Sequence, residues 1–318
     1  MTYAPIDPHD SGRLAVGDGH QVYWEICGNP TGKPAVVLHG GPGTGCTPLY
    51  RTFFDPARYR TVLLDQRGCG RSIPHAGDED TGLTANTTQH LLADIELLRQ
   101  HIGIEQWLVF GLSWGSSLAL AYSQRYPERV TQMVLGMVVT STRREIDWIT
   151  RDVGRLVPAA WQRFRDGVPP EDRGGDLADA YARLLESDDP QVREQAANDW
   201  NDWEDTHDAV LAEQPPHPMF EDARDRLAFA RLITHYCRHD CFLASGKLMQ
   251  GADRLAGIPA VLVHGRLDIS SPLDIPWELH CRWPDSDLVV VDEGAHSGGH
   301  GMGEALAAAT DGFAELGL

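Results

Sequence analysis

Hydrophobic positions come in short runs before about residue 140 and change character afterwards. Val22 to Cys27, Ala35 to Leu38, Thr61 to Leu64, Trp107 to Phe110 and Met133 to Val139 are compact apolar stretches of the kind that form buried strands. Helical patterns lie between the later ones. Asn86 to His101 is one, and Ser116 to Tyr126 is another that stops at Pro127. Strands alternating with helices predict βαβ units and a mostly parallel sheet. From Ser141 to about Met249 the chain turns helical, charged and tryptophan-rich, with no convincing strand. Within it, Gly167 to Asp176 (GVPPEDRGGD) reads as a loop, because two prolines and two glycines interrupt helices. Ala260 to His264 and Leu288 to Val291 then resume the strand pattern. The organisation expected is an α/β core over 1–140 and 250–318, with a helical insertion over 141–249 between the sixth and seventh strands.

Bulk properties narrow the function classes. A chain of 318 residues with 42% hydrophobic content can bury one large core and still carry an inserted subdomain. No apolar run approaches the roughly 20 residues of a membrane span. The N-terminal stretch lacks the basic segment and apolar core of a secretory signal, so a cytoplasmic protein without membrane attachment is the expectation. A net charge of −19 argues against nucleic-acid binding, which needs a basic footprint. Six scattered cysteines in so large a chain read as reduced thiols. Cys237 and Cys241 lie near His235, His239 and Asp240, a spacing that could hold zinc, but ordinary helix packing is the preferred reading. No metal or organic cofactor is expected, and nothing in the sequence specifies an oligomeric state.

The chemistry concentrates in Gly111-Leu112-Ser113-Trp114-Gly115, placed between a strand-like run and a helical one. This is G-x-S-x-G, the strand-to-helix elbow that holds a nucleophilic serine above an α/β-hydrolase sheet. The expected fold is therefore α/β, an α/β-hydrolase with a mostly parallel central sheet. Serine's hydroxyl is a poor nucleophile near neutral pH and needs a base and an orienting carboxylate, which follow in the order Ser, Asp/Glu, His. Asp268 comes just after the strand Ala260 to His264, and His296 follows the next strand in a glycine-rich loop. Ser113, Asp268 and His296 are accordingly the expected triad.

Competing residues are less well placed. Asp65 ends a strand but precedes the serine, so a structural pair with a nearby arginine suits it better; Asp274 and Asp292 do not directly follow a strand in the required place. His300 is the alternative base, while His39 and His264 suit packing or hydrogen bonding at strand ends. Negative charge building on a carbonyl oxygen needs fixed donors. The backbone N–H of Trp114 is one candidate. Gly41, in the His39-Gly40-Gly41-Pro42-Gly43 loop after the third strand, is the other.

These pieces together resemble the proline iminopeptidases (prolyl aminopeptidases), serine peptidases of the α/β-hydrolase fold. HGGPG, DQRGCGRS, GLSWGSSLALAYSQRYPERV, HGRLD and GAHS carry the likeness, as do REIDW (Arg144 to Trp148) and AANDWNDWE (Ala196 to Glu204) in the insertion. The resemblance implies removal of an N-terminal proline from a peptide by the Ser113, Asp268 and His296 triad. It also implies that segment 141–249 is a helical cap over the active site, and that Glu204 pairs with the substrate's free α-ammonium group. Three positions depart from the family. A second amine-binding glutamate falls where this chain has Ile233, and aromatic residues of the proline pocket are replaced by Val139 and Cys237. Smaller pocket walls loosen discrimination for the pyrrolidine ring. An esterase or amidase acting on a small metabolite is therefore the second reading, and a non-enzymatic receptor on the same scaffold a third. Epoxide hydrolases and haloalkane dehalogenases are set aside because they place aspartate where Ser113 stands.

Overall fold

The computed structural model describes residues 2–78, 80–208 and 218–315. Eight strands form one sheet: β1 (Asp10–Gly17), β2 (His20–Gly28), β3 (Lys33–Leu38), β4 (Tyr59–Leu64), β5 (Trp107–Leu112), β6 (Val130–Gly136), β7 (Ala260–Gly265) and β8 (Ser286–Val291). Their spatial order is β1-β2-β4-β3-β5-β6-β7-β8. The β1–β2 and β2–β4 pairs are antiparallel; every pairing from β4 to β8 is parallel. The α/β-hydrolase architecture expected from the strand and helix pattern is therefore present.

Period-2 alternation sorts the strand residues to the two faces. Val36, Val62, Val109 and Leu135 join one apolar cluster with α1 (Thr88–His101) and α2 (Trp114–Arg125). Their neighbours Val37, Leu63, Phe110 and Val134 join a second. The C-terminal helix (Met302–Glu315) packs there through Met302, Leu306 and Phe313. Because both faces are covered, Ala35 to Leu38 of β3 and Trp107 to Phe110 of β5 read as unbroken apolar runs.

Between β6 and β7 the described residues contain helices and no strand. The longer ones are α3 (Arg143–Thr150), α4 (Pro158–Asp166), α5 (Leu177–Leu185), α6 (Pro190–Asp208) and α7 (Ala223–Arg238). Of segment 141–249, residues 209–217 lie outside the described ones, as do 316–318 of the core segment. Tryptophan does much of the internal packing. The Trp203 ring stacks on Phe164 at 5.1 Å, Phe164 stacks on Tyr181 at 4.7 Å, and Trp203 Nε1 donates to the Ile149 carbonyl at 2.9 Å. These contacts fix α6 against α3 to α5 with the 204–208 turn facing the sheet's end.

Several local expectations shift. The Met133 to Val139 run begins its strand at Val130 and leaves it after Gly136, because Met137 adopts φ 46°, which a strand cannot continue. The helix expected from Asn86 starts at Thr88, with the Thr87 hydroxyl accepting from the His90 N–H. Strand β1 gave no apolar run, since it is an edge strand with no buried position.

Candidate active site

Parallel strands end on one edge of the sheet, and the loops leaving β3, β5, β7 and β8 meet there. At the end of β5, Ser113 has φ 53° and ψ −124°, a strained conformation enforced by the packing of the elbow. That packing admits no side chain on either flanking glycine. A Cβ on Gly111 would sit 2.2 Å from the Gly115 carbonyl oxygen, and one on Gly115 would sit 2.0 Å from that of Leu38.

The structure brings together the three residues singled out in the sequence. Ser113 Oγ lies 2.8 Å from His296 Nε2, and His296 Nδ1 lies 2.9 Å from Asp268 Oδ2. Asp268 is buried, and its Oδ1 accepts from the Ser271 N–H at 2.8 Å. This fixes the carboxylate so that Nδ1–H donates to it and Nε2 is left to accept the serine proton. Burial opposes charging His296, but Asp268, Asp208 and Glu204 outweigh it and raise its pKa to about 10.

The competing residues stand elsewhere. Asp65 is held by the Arg71 guanidinium at 2.8 Å and by the Cys46 N–H at 2.9 Å. Asp274 pairs with Arg144, Asp292 pairs with Arg266 at 2.6 Å, and His300 is exposed. His39 is fully buried; its Nδ1 donates to the Gly40 carbonyl at 2.9 Å and its Nε2 accepts from the Gln66 N–H at 3.0 Å. His264 accepts from the Val138 N–H at 3.0 Å and donates to the Ser271 carbonyl at 2.7 Å, tying the β6 and β7 loops together.

The glycine loop lies beside Ser113. A Cβ built on Gly40 would be 3.4 Å from Ser113 Cβ, and Gly41 has φ 107°, a left-handed backbone that glycine tolerates. Gly41 and Trp114 border the same cavity as Ser113. Sequence reasoning missed Gln66, which joins this loop to the elbow. Its Oε1 accepts from Trp114 Nε1 at 2.9 Å and its Nε2 donates to the His39 carbonyl at 2.9 Å. Its position two residues past the end of β4 was the available signal.

Next to Ser113 and His296 is an inner cavity of about 100 Å³. Val139, Ile146, Ile149, Ile233 and Cys237 supply apolar wall, and Glu204 reaches in from α6. Glu204 is buried, with Oε1 accepting from Trp200 Nε1 at 3.0 Å. Burial pushes its pKa up to about 7; His207, His296 and the Trp200 bond pull the other way, while Asp208 adds to the rise. An outer cleft of about 400 Å³ shares Gly41, Ser113, Glu204, Asp208 and His296 with the inner cavity. Among the described residues, the one group placed as metal ligands would be is Glu204, His207 and Asp208. Cys237 and Cys241 are not gathered with His235, His239 and Asp240 in that way. Both cysteines are buried, and their thiol pKa values are pushed up by burial. No helix among the described residues is long and apolar enough to cross a membrane.

Comparison with known proteins gives a consistent result. Residues 33–300 match the family model for the α/β-hydrolase fold. A probable proline iminopeptidase of Streptomyces coelicolor is 52% identical, over 99% of this chain and 98% of its own length. The proline iminopeptidase of Xylella fastidiosa is 45% identical, over 98% of each chain. Among solved structures, a proline iminopeptidase of Mycobacterium smegmatis superposes with a TM-score of 0.64 at 20% identity, covering 96% of this chain and 98% of that one. At that identity it supports the shared fold.

Proposed function

The chain belongs to the proline iminopeptidase family of α/β hydrolases, and from that premise we propose that it removes proline, or another small residue, from the N-terminus of peptides. One observation carries the reading: the Ser113–His296–Asp268 chain, at 2.8 and 2.9 Å, opens onto a small cavity bordered by a buried carboxylate. The inner cavity takes the first residue and the outer cleft takes the rest of the peptide. Helices α3 to α7 act as the cap of segment 141–249 that closes over them.

In the reaction, Ser113 Oγ attacks the carbonyl carbon of the first residue while His296 Nε2 takes the hydroxyl proton. The N–H groups of Gly41 and Trp114 hold the oxyanion; Trp114 opens α2, where the first N–H groups have no intrahelical acceptor. Collapse breaks the scissile C–N bond as His296 returns its proton to the departing amine. Water, deprotonated by His296, then hydrolyses the Ser113 ester. No step needs a metal or an organic cofactor.

Glu204 pairs with the free α-ammonium and sets the register by one residue. That ammonium also opposes the carboxylates that raise His296, so docking lowers the imidazole towards the range where it can accept a proton. Ile233, Val139 and Cys237 in the cavity wall favour the second reading, an esterase or amidase for a small metabolite. The deciding assay compares prolyl and alanyl arylamides, free and N-acylated, with p-nitrophenyl acetate. Aminopeptidase action requires the free amine, and Glu204→Gln lowers kcat/KM for free-amine substrates about tenfold relative to the ester. Equal turnover of N-acylated substrates by the wild type refutes it in favour of the second reading.

A further inference from the structure

The two N–H groups proposed to hold the oxyanion come from different strands, Gly41 from the loop after β3 and Trp114 from the first turn after β5. The β3–β5 ladder ends at Leu38 and Gly111, so past that point no sheet pairing holds the two segments together. The Gln66 side chain spans them. It follows β4, which flanks β3 on the side away from β5, and its amide reaches across the end of β3 to the start of α2. Oε1 accepts from Trp114 Nε1 at 2.9 Å, and Nε2 donates at 2.9 Å to the carbonyl of His39, two residues before Gly41. The Gln66 N–H adds a third bond, to His39 Nε2 at 3.0 Å. Gln66, His39 and Trp114 are each at most 3% exposed, so bulk water offers no substitute for these bonds.

We infer that Gln66 is a positioning residue whose amide sets the separation of the oxyanion donors Gly41 and Trp114. This rests on the oxyanion assignment made above and goes beyond it, and it holds for amide and ester substrates alike because both pass through an oxyanion. The amide has one orientation available. An indole N–H only donates and a peptide carbonyl only accepts, so Oε1 faces Trp114 and Nε2 faces His39. Other contacts act on one side of the gap. The Tyr50 hydroxyl accepts from the Gly40 N–H at 3.4 Å, and the Thr44 hydroxyl donates to the Gly40 carbonyl at 3.0 Å, both within the glycine loop. On the other side the Tyr236 ring packs against the Trp114 indole at 5.0 Å. Close packing of Gly115 on the Leu38 carbonyl stops the two segments approaching further, but a repulsive contact cannot stop them parting. The Gln66 bonds supply that opposing restraint, so contact and amide together fix the gap from both directions.

The test measures kcat and KM of the full chain on prolyl arylamide and p-nitrophenyl acetate, with active sites counted from the end point of fluorophosphonate labelling. Gln66→Met keeps the length of the side chain and removes both amide bonds. Its kcat per active site is expected to fall about tenfold on both substrates, with KM within twofold of wild type. Gln66→Glu supplies a readout that a merely structural role would not move. Its protonated carboxyl offers the same acceptor and donor pair as the amide, and its carboxylate does not. Burial favours the protonated form, so kcat relative to wild type is expected to recover at pH 5 and to be lost as pH rises and the group ionises. A Gln66→Met kcat per active site within twofold of wild type overturns the inference, as does a loss carried by KM, or a Gln66→Glu variant no more active than Gln66→Met at pH 5. Where Gln66→Met fails to fold, Gln66→Asn, one methylene too short to span both partners, takes its place. Failure of the oxyanion assignment looks different: Gly41→Ala, whose Cβ would lie 2.3 Å from the Gly43 nitrogen, would then also keep its kcat per active site. A wild type that no fluorophosphonate labels would remove the serine mechanism itself.

Discussion

Gly115→Ala probes how tightly the elbow is built. The added Cβ would lie 2.0 Å from the Leu38 carbonyl oxygen, 2.7 Å from its carbon and 2.9 Å from the His39 oxygen. Ordinary contact begins near 3.4 Å, so helix α2 and the end of β3 must separate by about 1.4 Å. Nothing soft is available to yield, because every atom met is backbone. Retreat is blocked as well, since Gly111 already packs against the Gly115 carbonyl. Overpacking of this kind costs about 3 kcal/mol, the upper part of its usual range. For a chain of this size that lowers Tm by roughly 4–5 °C. The same displacement moves Ser113 away from His296 and from the glycine loop, and a 1 Å error in a reacting group costs about 100-fold in rate. Thermal melting followed by circular dichroism, with kcat/KM on prolyl arylamide, measures both effects. Gly312→Ala in the C-terminal helix is the control: its Cβ would meet nothing within 4 Å, so it is expected to be neutral or slightly stabilising. Gly115→Ala melting within 2 °C of wild type, with kcat/KM within twofold, would refute the interlocked elbow.

Further outcomes follow from the same geometry. Asp268→Asn turns an amide donor towards His296 Nδ1, which reverses the imidazole tautomer and leaves Nε2 unable to take the Ser113 proton; kcat should fall about 10⁴-fold with Tm little changed. The pH profile of p-nitrophenyl acetate hydrolysis tests the field around His296. Its folded pKa is raised to about 10, so the neutral base gains population as pH rises through that value, and Glu204→Gln or Asp208→Asn should each move the acid limb to lower pH. A limb that stays in place in both variants would contradict the coupling. In the core, Arg67 and Asp94 form a two-point ion pair at 2.6 and 2.9 Å, each side chain 2% exposed. Arg67→Ala strands a buried carboxylate and should cost about 3–5 kcal/mol in urea unfolding, whereas loss of the exposed Arg266–Asp292 pair should cost under about 1 kcal/mol.

Much of this protein is written locally. Each buried parallel strand is an apolar run because both its faces are covered, so β3, β5 and β7 were visible from composition alone. The elbow was legible for a similar reason: Gly111 and Gly115 are demanded by contacts within a few residues of Ser113 and with the neighbouring strand. Chain order then selected Asp268 and His296. Strand β1 escaped notice because an edge strand gains its stability from pairing with β2 and needs no apolar code of its own. The end of β6 was misjudged because one left-handed residue, Met137, redirects a run that stays hydrophobic.

The binding side of the site depended on three dimensions. Gln66 looks like a loop residue until the fold sets it between Trp114 and His39. Asp208 is one acid among 46 acidic residues, and only the seating of α6 over the sheet edge distinguishes it from a solvated helix face. The sequence alone determined the fold, since strand runs and the glycines of the elbow are imposed by constraints that act over short stretches, and it brought forward Ser113, Asp268 and His296 as candidates by their order along the chain. Tertiary structure decided which charges are buried, shared or left open. Electrostatic character depends on every neighbour within several ångströms, and those neighbours come from segments far apart in the chain.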